Sequence, residues 1–251
     1  YLTYLNKKNI NTDGIEIIES GKTFFWAGKY HNDLNTRDTL ATELNVLADF
    51  NPKVPQSFTT PDFLMLGNLH PTVQMSVINQ IPVKPKLVVL DTMNFWMNNA
   101  WDELIQVIEK VDVITINDEE ARQLSGEYSL VKAAHKIHAM GPEFVVIKKG
   151  EHGALLFHNG TAFFAPALPL EEVFDPTGAG DTFAGGFIGY LTGTHDVSFE
   201  NMKRAVIVGS NLASFCVEKF GTQRMETLTR DEIQIRLQQF KELTQFDIEL
   251  D

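Results

Sequence analysis

Asp175-Pro176-Thr177-Gly178-Ala179-Gly180-Asp181 runs directly into a stretch of small and apolar residues, Thr182-Phe183-Ala184-Gly185-Gly186-Phe187-Ile188-Gly189-Tyr190-Leu191. A glycine-rich turn that opens a helix leaves the first amide groups without helical acceptors, and the helix dipole adds about half a positive charge at that end. Anions, phosphate among them, bind there. Asp181 falls in the first helical turn, where its carboxylate can reach a hydroxyl brought up against a bound phosphate and take its proton. The plain alternative is a chain turn with Asp181 as a helix-start residue. Three glycines inside the helix, Gly185, Gly186 and Gly189, each cost about 1 kcal/mol relative to alanine, a loss that close packing on the sheet or on a ligand would offset.

Two further stretches carry candidate chemistry. Asn117-Asp118-Glu119-Glu120 follows the apolar run at 113–116. An Asn before an acidic first turn is by itself an ordinary N-cap. Lys148-Lys149-Gly150-Glu151-His152-Gly153 follows the run at 144–147. Its glycines permit a close backbone approach and a lysine adds charge, while a simple turn into a hairpin with solvated lysines accounts for the same residues. Other look-alikes fail. Ser20-Gly21-Lys22-Thr23 has Glu16 where a P-loop needs glycine. His135 and His138 have no third zinc ligand nearby, and Cys216 sits on an apolar helix as a plain buried thiol.

Taken together, Asp175, the paired glycines, Asp181 and the small-residue helix resemble the signature of the ribokinase-like (PfkB) carbohydrate and nucleoside kinases. The resemblance implies that Asp181 is the catalytic base and that the backbone of Gly178, Ala179 and Gly180 forms an anion hole. It implies phosphoryl transfer from ATP to a hydroxyl of a small sugar or nucleoside, with Asn117 at the nucleotide and Glu120 organising Mg²⁺ through water. Lys148, Gly150 and Gly153 would lie at a nucleotide-contacting turn, and Ser210 and Asn211 would line the adenine pocket. Asp175 and Thr177 match positions that bind a monovalent cation such as K⁺ in many members, with an Asx turn at Asp175 as the local alternative. The early aromatics Phe25 and Trp26 fit the family's β lid over the substrate, which pairs two subunits in some members and makes a homodimer an expectation. One departure stands out. Asp91-Thr92-Met93-Asn94-Phe95-Trp96 lies where many relatives have Asp-x-Asn-x-Arg, and no arginine follows. A ligand-sensing relative of the same fold without catalysis is the competing reading, disfavoured by the presence of Asp181.

The elements that must position these residues read as α/β. Apolar runs at 63–66, 87–90, 113–116 and 144–147 have the form of buried parallel strands. Helical spacing fills 73–80, 100–110, 119–124 and 130–140 between them. Asn159-Gly160 predicts a hairpin joining 154–157 to 161–164, and helices follow over 179–191, 199–219 and 230–243, with a loop at 194–199. The expected architecture is the three-layer α/β/α body of the ribokinase-like fold with a mostly parallel sheet plus a small β lid. Residues 15–19 and 23–27 around Ser20-Gly21-Lys22 predict the lid hairpin. The division expected is a partial lid and connection over 1–45, lacking an N-terminal core strand, and a nucleotide-binding catalytic body over 46–251.

Composition narrows the partners. The 251 residues are 43% hydrophobic and 22% charged, which describes a foldable chain with a core. With 21 basic against 33 acidic residues the formal charge is −12, which disfavours a general grip on nucleic acid or anionic lipid. No apolar run approaches the ~20 residues of a membrane span. The single cysteine fits a reducing compartment and a cytoplasmic enzyme.

Overall fold

The structure, a computed structural model, describes residues 1–32, 34, 37–245 and 247. A short helix, α1 (Leu2–Lys7), precedes two antiparallel strands, β1 (Phe25–Tyr30) and β2 (Arg37–Glu43), which form a sheet of their own. The body then alternates β3 (Phe63–Leu66), α2 (Pro71–Asn79), β4 (Leu87–Asp91), α3 (Asn94–Asn99), α4 (Trp101–Ile108), β5 (Val113–Asn117), α5 (Asp118–Ser125), α6 (Leu130–His138) and β6 (Phe144–Lys148). A hairpin of β7 (Ala154–His158) and β8 (Thr161–Ala165) follows, then α7 (Ala179–Thr194), α8 (Phe199–Cys216), α9 (Gln223–Thr227) and α10 (Arg230–Thr244).

The six strands of the main sheet lie in sequence order, β3 to β6 parallel and β7 and β8 antiparallel at the edge. Alternation of side chains along each strand divides the core in two. Val88, Leu90, Ile114, Ile116, Val145 and Ile147 face the layer built from α4, α5 and α6. Leu87, Val89, Val113, Val146 and Leu156 face Phe183 and Phe187 of α7 and Met202, Ala205 and Val206 of α8. Strands covered on both faces have no polar side to show, which is why they read as unbroken apolar runs. The β7–β8 turn takes φ of 46° at Asn159 and 75° at Gly160, the left-handed pair that a two-residue hairpin requires.

The lid differs from the sequence expectation. Residues 15–19 are not a strand, and β1 pairs with β2 instead, with an irregularity between Ala27 and Gly28. The cause is local. The Gly21 amide bonds back to the Ile18 carbonyl at 3.1 Å, the Val46 amide takes the Lys22 carbonyl at 3.1 Å, and the Asn45 side-chain amide takes the Thr23 carbonyl at 2.9 Å. Carbonyls of the segment before β1 are therefore committed to residues after β2. The β2 sequence Arg-Asp-Thr-Leu-Ala-Thr-Glu is mostly exposed and carries no apolar alternation to announce it.

The glycines of α7 divide by what they face. A Cβ on Gly186 would stand 2.8 Å from Leu212 and 3.2 Å from the Cα of Gly209, so this glycine and Gly209 bring α7 and α8 together, whereas nothing lies within 4 Å of a Cβ on Gly185 or Gly189. Close packing thus accounts for one of the three glycines. Gly209→Ala would put a carbon 2.8 Å from the Phe183 carbonyl oxygen and is expected to cost about 1–3 kcal/mol. Gly189→Ala is expected to stabilise by up to about 1 kcal/mol. Urea denaturation of the two variants checks this, and shifts of the same sign would contradict the packing account.

Candidate active site

Asp91, Asn117 and Lys148 are the last residues of β4, β5 and β6, so three adjacent parallel strands deliver polar groups to one edge of the sheet. In open α/β sheets ligands bind outside the carboxyl ends of the strands. Asn117 N-caps α5 and shares a capping box with Glu120: the Asn117 Oδ1 accepts from the Glu120 amide at 2.8 Å, and Glu120 Oε2 accepts from the Asn117 amide at 2.8 Å. The box occupies one oxygen of a buried carboxylate and fixes its direction. Burial raises the Glu120 pKa; Lys148 and the Asn117 amide oppose it, Asp91 adds to it, and Arg37 of the lid strand β2 opposes it.

The loop ahead of α7 is held from both sides. Gly178 is the N-cap with φ 83°, a left-handed conformation that a side chain would strain. Asp175 Oδ1 accepts from the Thr177 amide at 2.9 Å, so the Asx turn is present. The amides of Phe174 and Asp175 donate to the Val217 carbonyl at 2.8 and 3.2 Å, and Cys216 Sγ lies 3.8 Å from the Thr177 carbonyl oxygen, which ties the loop to the end of α8. From the lid, Tyr30 accepts a hydrogen bond from the Thr177 hydroxyl at 3.1 Å. The first bond of the helical ladder runs from the Thr182 amide to the Gly178 carbonyl at 2.8 Å, and the Ala179 amide turns back onto the Pro176 carbonyl at 3.1 Å. Ala179 is thereby partnered within the turn, the Gly180 and Asp181 amides precede the first bond of the ladder, and that of Asp181 meets its own carboxylate.

Lys148 supplies the charge at this end. Its Nζ lies 3.0 Å from Asp91 Oδ1 and 3.3 Å from the place a Cβ on Gly180 would take. Burial pushes its pKa down, but attraction to Asp91 and Glu120, the hydrogen bond to Asp91 and attraction to Asp181 outweigh it, and the net pKa is raised. Asp181 reaches solvent, yet partial desolvation raises its pKa and Asp91 adds to the rise, while Lys148 and a hydrogen bond from its own backbone amide oppose it. An aspartate with a raised pKa is a better proton acceptor when ionised than an ordinary one.

Other expected residues are placed less centrally. Gly150 opens a short 3₁₀ turn after β6, and a Cβ on Gly153 would stand 2.1 Å from the Ala165 carbonyl oxygen, so Gly153 is required by the packing of β8. Asn211 is fully buried, its amide donates to the Ile233 carbonyl of α10 at 3.4 Å and its Oδ1 has no hydrogen-bond partner; Ser210 is half-buried. Phe25 and Trp26 lie on β1, where the Trp26 ring covers Gly28 and the Arg37 guanidinium sits 5.9 Å from it. In the segment after Asp91, Trp96 has its Nε1 bonded to Asn68 Oδ1 at 2.8 Å and its ring edge-on to His70 and Phe95. The sequence reading did not assign Tyr30, Arg37, Thr115 or Asp91 to the site. Asp91, an acid closing a run of buried apolar residues, carried a local signal that could have found it.

The family model described as "pfkB family carbohydrate kinase" matches residues 1–229. The chain belongs to the pfkB family. It is thereby one of the phosphotransferases that use an alcohol acceptor, and kinases of this family use ATP. It is 29% identical over 219 residues to a cytidine kinase of Thermococcus kodakarensis, spanning 84% of this chain and 74% of that protein. It is 36% identical over 137 residues to a ribokinase of Haemophilus influenzae, spanning 51% of this chain and 42% of that one. The solved nucleoside kinase of Methanocaldococcus jannaschii superposes with a TM-score of 0.74 at 20% identity, covering 95% of this chain and 76% of that one, and so shares the fold. Among the described residues of this pfkB chain no helix is long and apolar enough to cross a membrane.

Lys148→Met removes the attraction that opposes the rise in the Asp181 pKa. The sign follows: with the carboxylate less favoured, its titration moves to higher pH. NMR detection of the Asp181 carboxyl checks this, and an unmoved or lowered midpoint would contradict the placement of Lys148.

Proposed function

We propose that the protein transfers the γ-phosphoryl group of ATP to a hydroxyl of a small sugar or nucleoside, with Asp181 as general base. The observation that carries this reading is the meeting of an acid with a raised pKa, a glycine-built helix start and an ammonium at the N-terminus of α7. The residues fit a phosphate there: Gly180 has no side chain to fill the cradle, and Lys148 Nζ borders the space. Asp181 takes the proton of the acceptor hydroxyl as its oxygen attacks in line. The amides of Gly180 and Asp181, with Lys148, neutralise charge that grows on the phosphoryl oxygens. Tyr30, docked on Thr177, brings the lid over the loop and helps to keep out water, the competing acceptor.

Among the described residues no three His, Cys, Asp or Glu converge as a metal cage. Glu120, with one oxygen committed to its capping box, is the residue that would hold Mg²⁺ through water, and the ion when bound would draw charge from the phosphate oxygens. Asp175 and Thr177 are the residues that would serve a monovalent cation. Ile17, Phe24, Phe25 and Leu40 are exposed on or beside the lid, which supports a second copy of the chain as its cover. The extent of the similarity to cytidine kinase puts nucleosides first among acceptors to be screened, ahead of free sugars.

Asp181→Asn is expected to lower turnover by about 10²–10⁴-fold with ATP still bound. Coupled ADP release from the full-length protein, with ATP binding measured by calorimetry, checks both halves. Turnover near that of the unaltered protein would remove Asp181 from the base role.

A further inference from the structure

Asp91 has no part in the chemistry described above, yet it is the acid bonded to the site's ammonium. It ends β4 and is 6% exposed. Its Oδ1 accepts from Lys148 Nζ and from the Thr115 hydroxyl, each at 3.0 Å. Thr115 stands opposite Asp91 in the β4–β5 register, and Lys148 stands opposite Asn117 in the β5–β6 register, so three neighbouring strands fix this contact. Two other carboxylates attract the same ammonium, Glu120 and Asp181. Glu120 is directed by its capping box and is also within the field of Arg37. Asp181 has no capping box and is held only by its own backbone amide. An ammonium that turned fully onto Asp181 would place a donor on the oxygen that has to receive the acceptor's proton, and would leave the mouth of the loop without its charge.

We propose that Asp91 is a positioning residue that, through the 3.0 Å contact with Lys148 and the brace from Thr115, holds the ammonium beside Gly180 and off the carboxylate of Asp181. This rests on the reading of Asp181 as the base. Asp91 acts entirely through Lys148 and does not touch the acceptor, so its removal lowers kcat and leaves the acceptor KM nearly unchanged. Its effect also vanishes when there is no ammonium to misplace.

A double-mutant cycle on the full-length protein tests this. Asp91→Asn is expected to lower kcat by about 10- to 100-fold, the scale of a misplaced group. The same change made in Lys148→Met is expected to lower it by less than about 2-fold, the coupling that residues acting as one unit show. Thr115→Val loosens the brace without altering any charge; its smaller loss should likewise disappear in the Lys148→Met background, which keeps the test intact if Asp91→Asn alone fails to fold. Losses that multiply in the double variants, or an Asp91→Asn protein with unchanged kcat, would overturn the proposal. Asp181→Asn run alongside separates the two readings: if it is inactive, multiplying losses overturn the role of Asp91 alone, and if it is active, the base assignment falls and the role of Asp91 with it.

Discussion

A single ammonium, that of Lys148, lies among three carboxylates at the ends of the central strands, and the placing of that charge governs the site. Burying a lysine is costly unless it is paired and hydrogen-bonded. Here the pairing comes from Asp91 at 3.0 Å, with Glu120 and Asp181 in the surrounding field. Removing one partner would leave uncompensated charge, so the cluster is a structural commitment as well as a chemical one. The parallel order of β4, β5 and β6 is what makes it available, because parallel neighbours present their carboxyl ends on the same edge.

The loop that faces this charge is supported from farther away. The Phe215 ring of α8 has the guanidinium groups of Arg236 and Arg224 at 3.4 and 4.9 Å from its centre. Glu218 pairs with both arginines, at 2.6 and 2.8 Å, and Glu232 pairs with Arg224 at 2.6 Å. This network fixes the end of α8, and the Val217 carbonyl just beyond it holds the amides of Phe174 and Asp175. Hydrogen bonds from Thr229, joined by the pair with Arg224, push the Glu232 pKa down to about 2. A carboxylate depressed in the folded state contributes stability above its ordinary value of 4.5, and that contribution fades as pH falls toward about 2. The clamp therefore holds at neutral pH and loosens in acid.

The parts legible in the sequence were those whose cause is local. β3 to β6 announced themselves because burial on both faces removes polar residues from a strand, and the β7–β8 hairpin did so through Asn159-Gly160. The start of α7 at Gly178 was legible because paired glycines ahead of an apolar periodic stretch mark a turn into a helix. What stayed hidden depends on distant partners. Asp91 and Lys148 are 57 positions apart, and neither residue names the other until the strands are in register. β2 escaped because an exposed sheet needs no apolar pattern, and the contact of Asn211 with the Ile233 carbonyl stayed hidden because a polar residue on a helix face does not name its partner. Gly185 and Gly186 are adjacent and identical in sequence, yet only Gly186 has a neighbouring helix to accommodate.

The central claim is that the start of α7, together with Lys148, receives the phosphate that Asp181 helps to transfer. A crystal structure of the full-length protein with a non-hydrolysable ATP analogue and Mg²⁺ tests it most directly. The account predicts the γ-phosphate within hydrogen-bond distance of the Gly180 and Asp181 amides and of Lys148 Nζ, with Asp91 still bonded to that ammonium. A γ-phosphate bound away from this helix end, with Lys148 turned from it, would contradict the account.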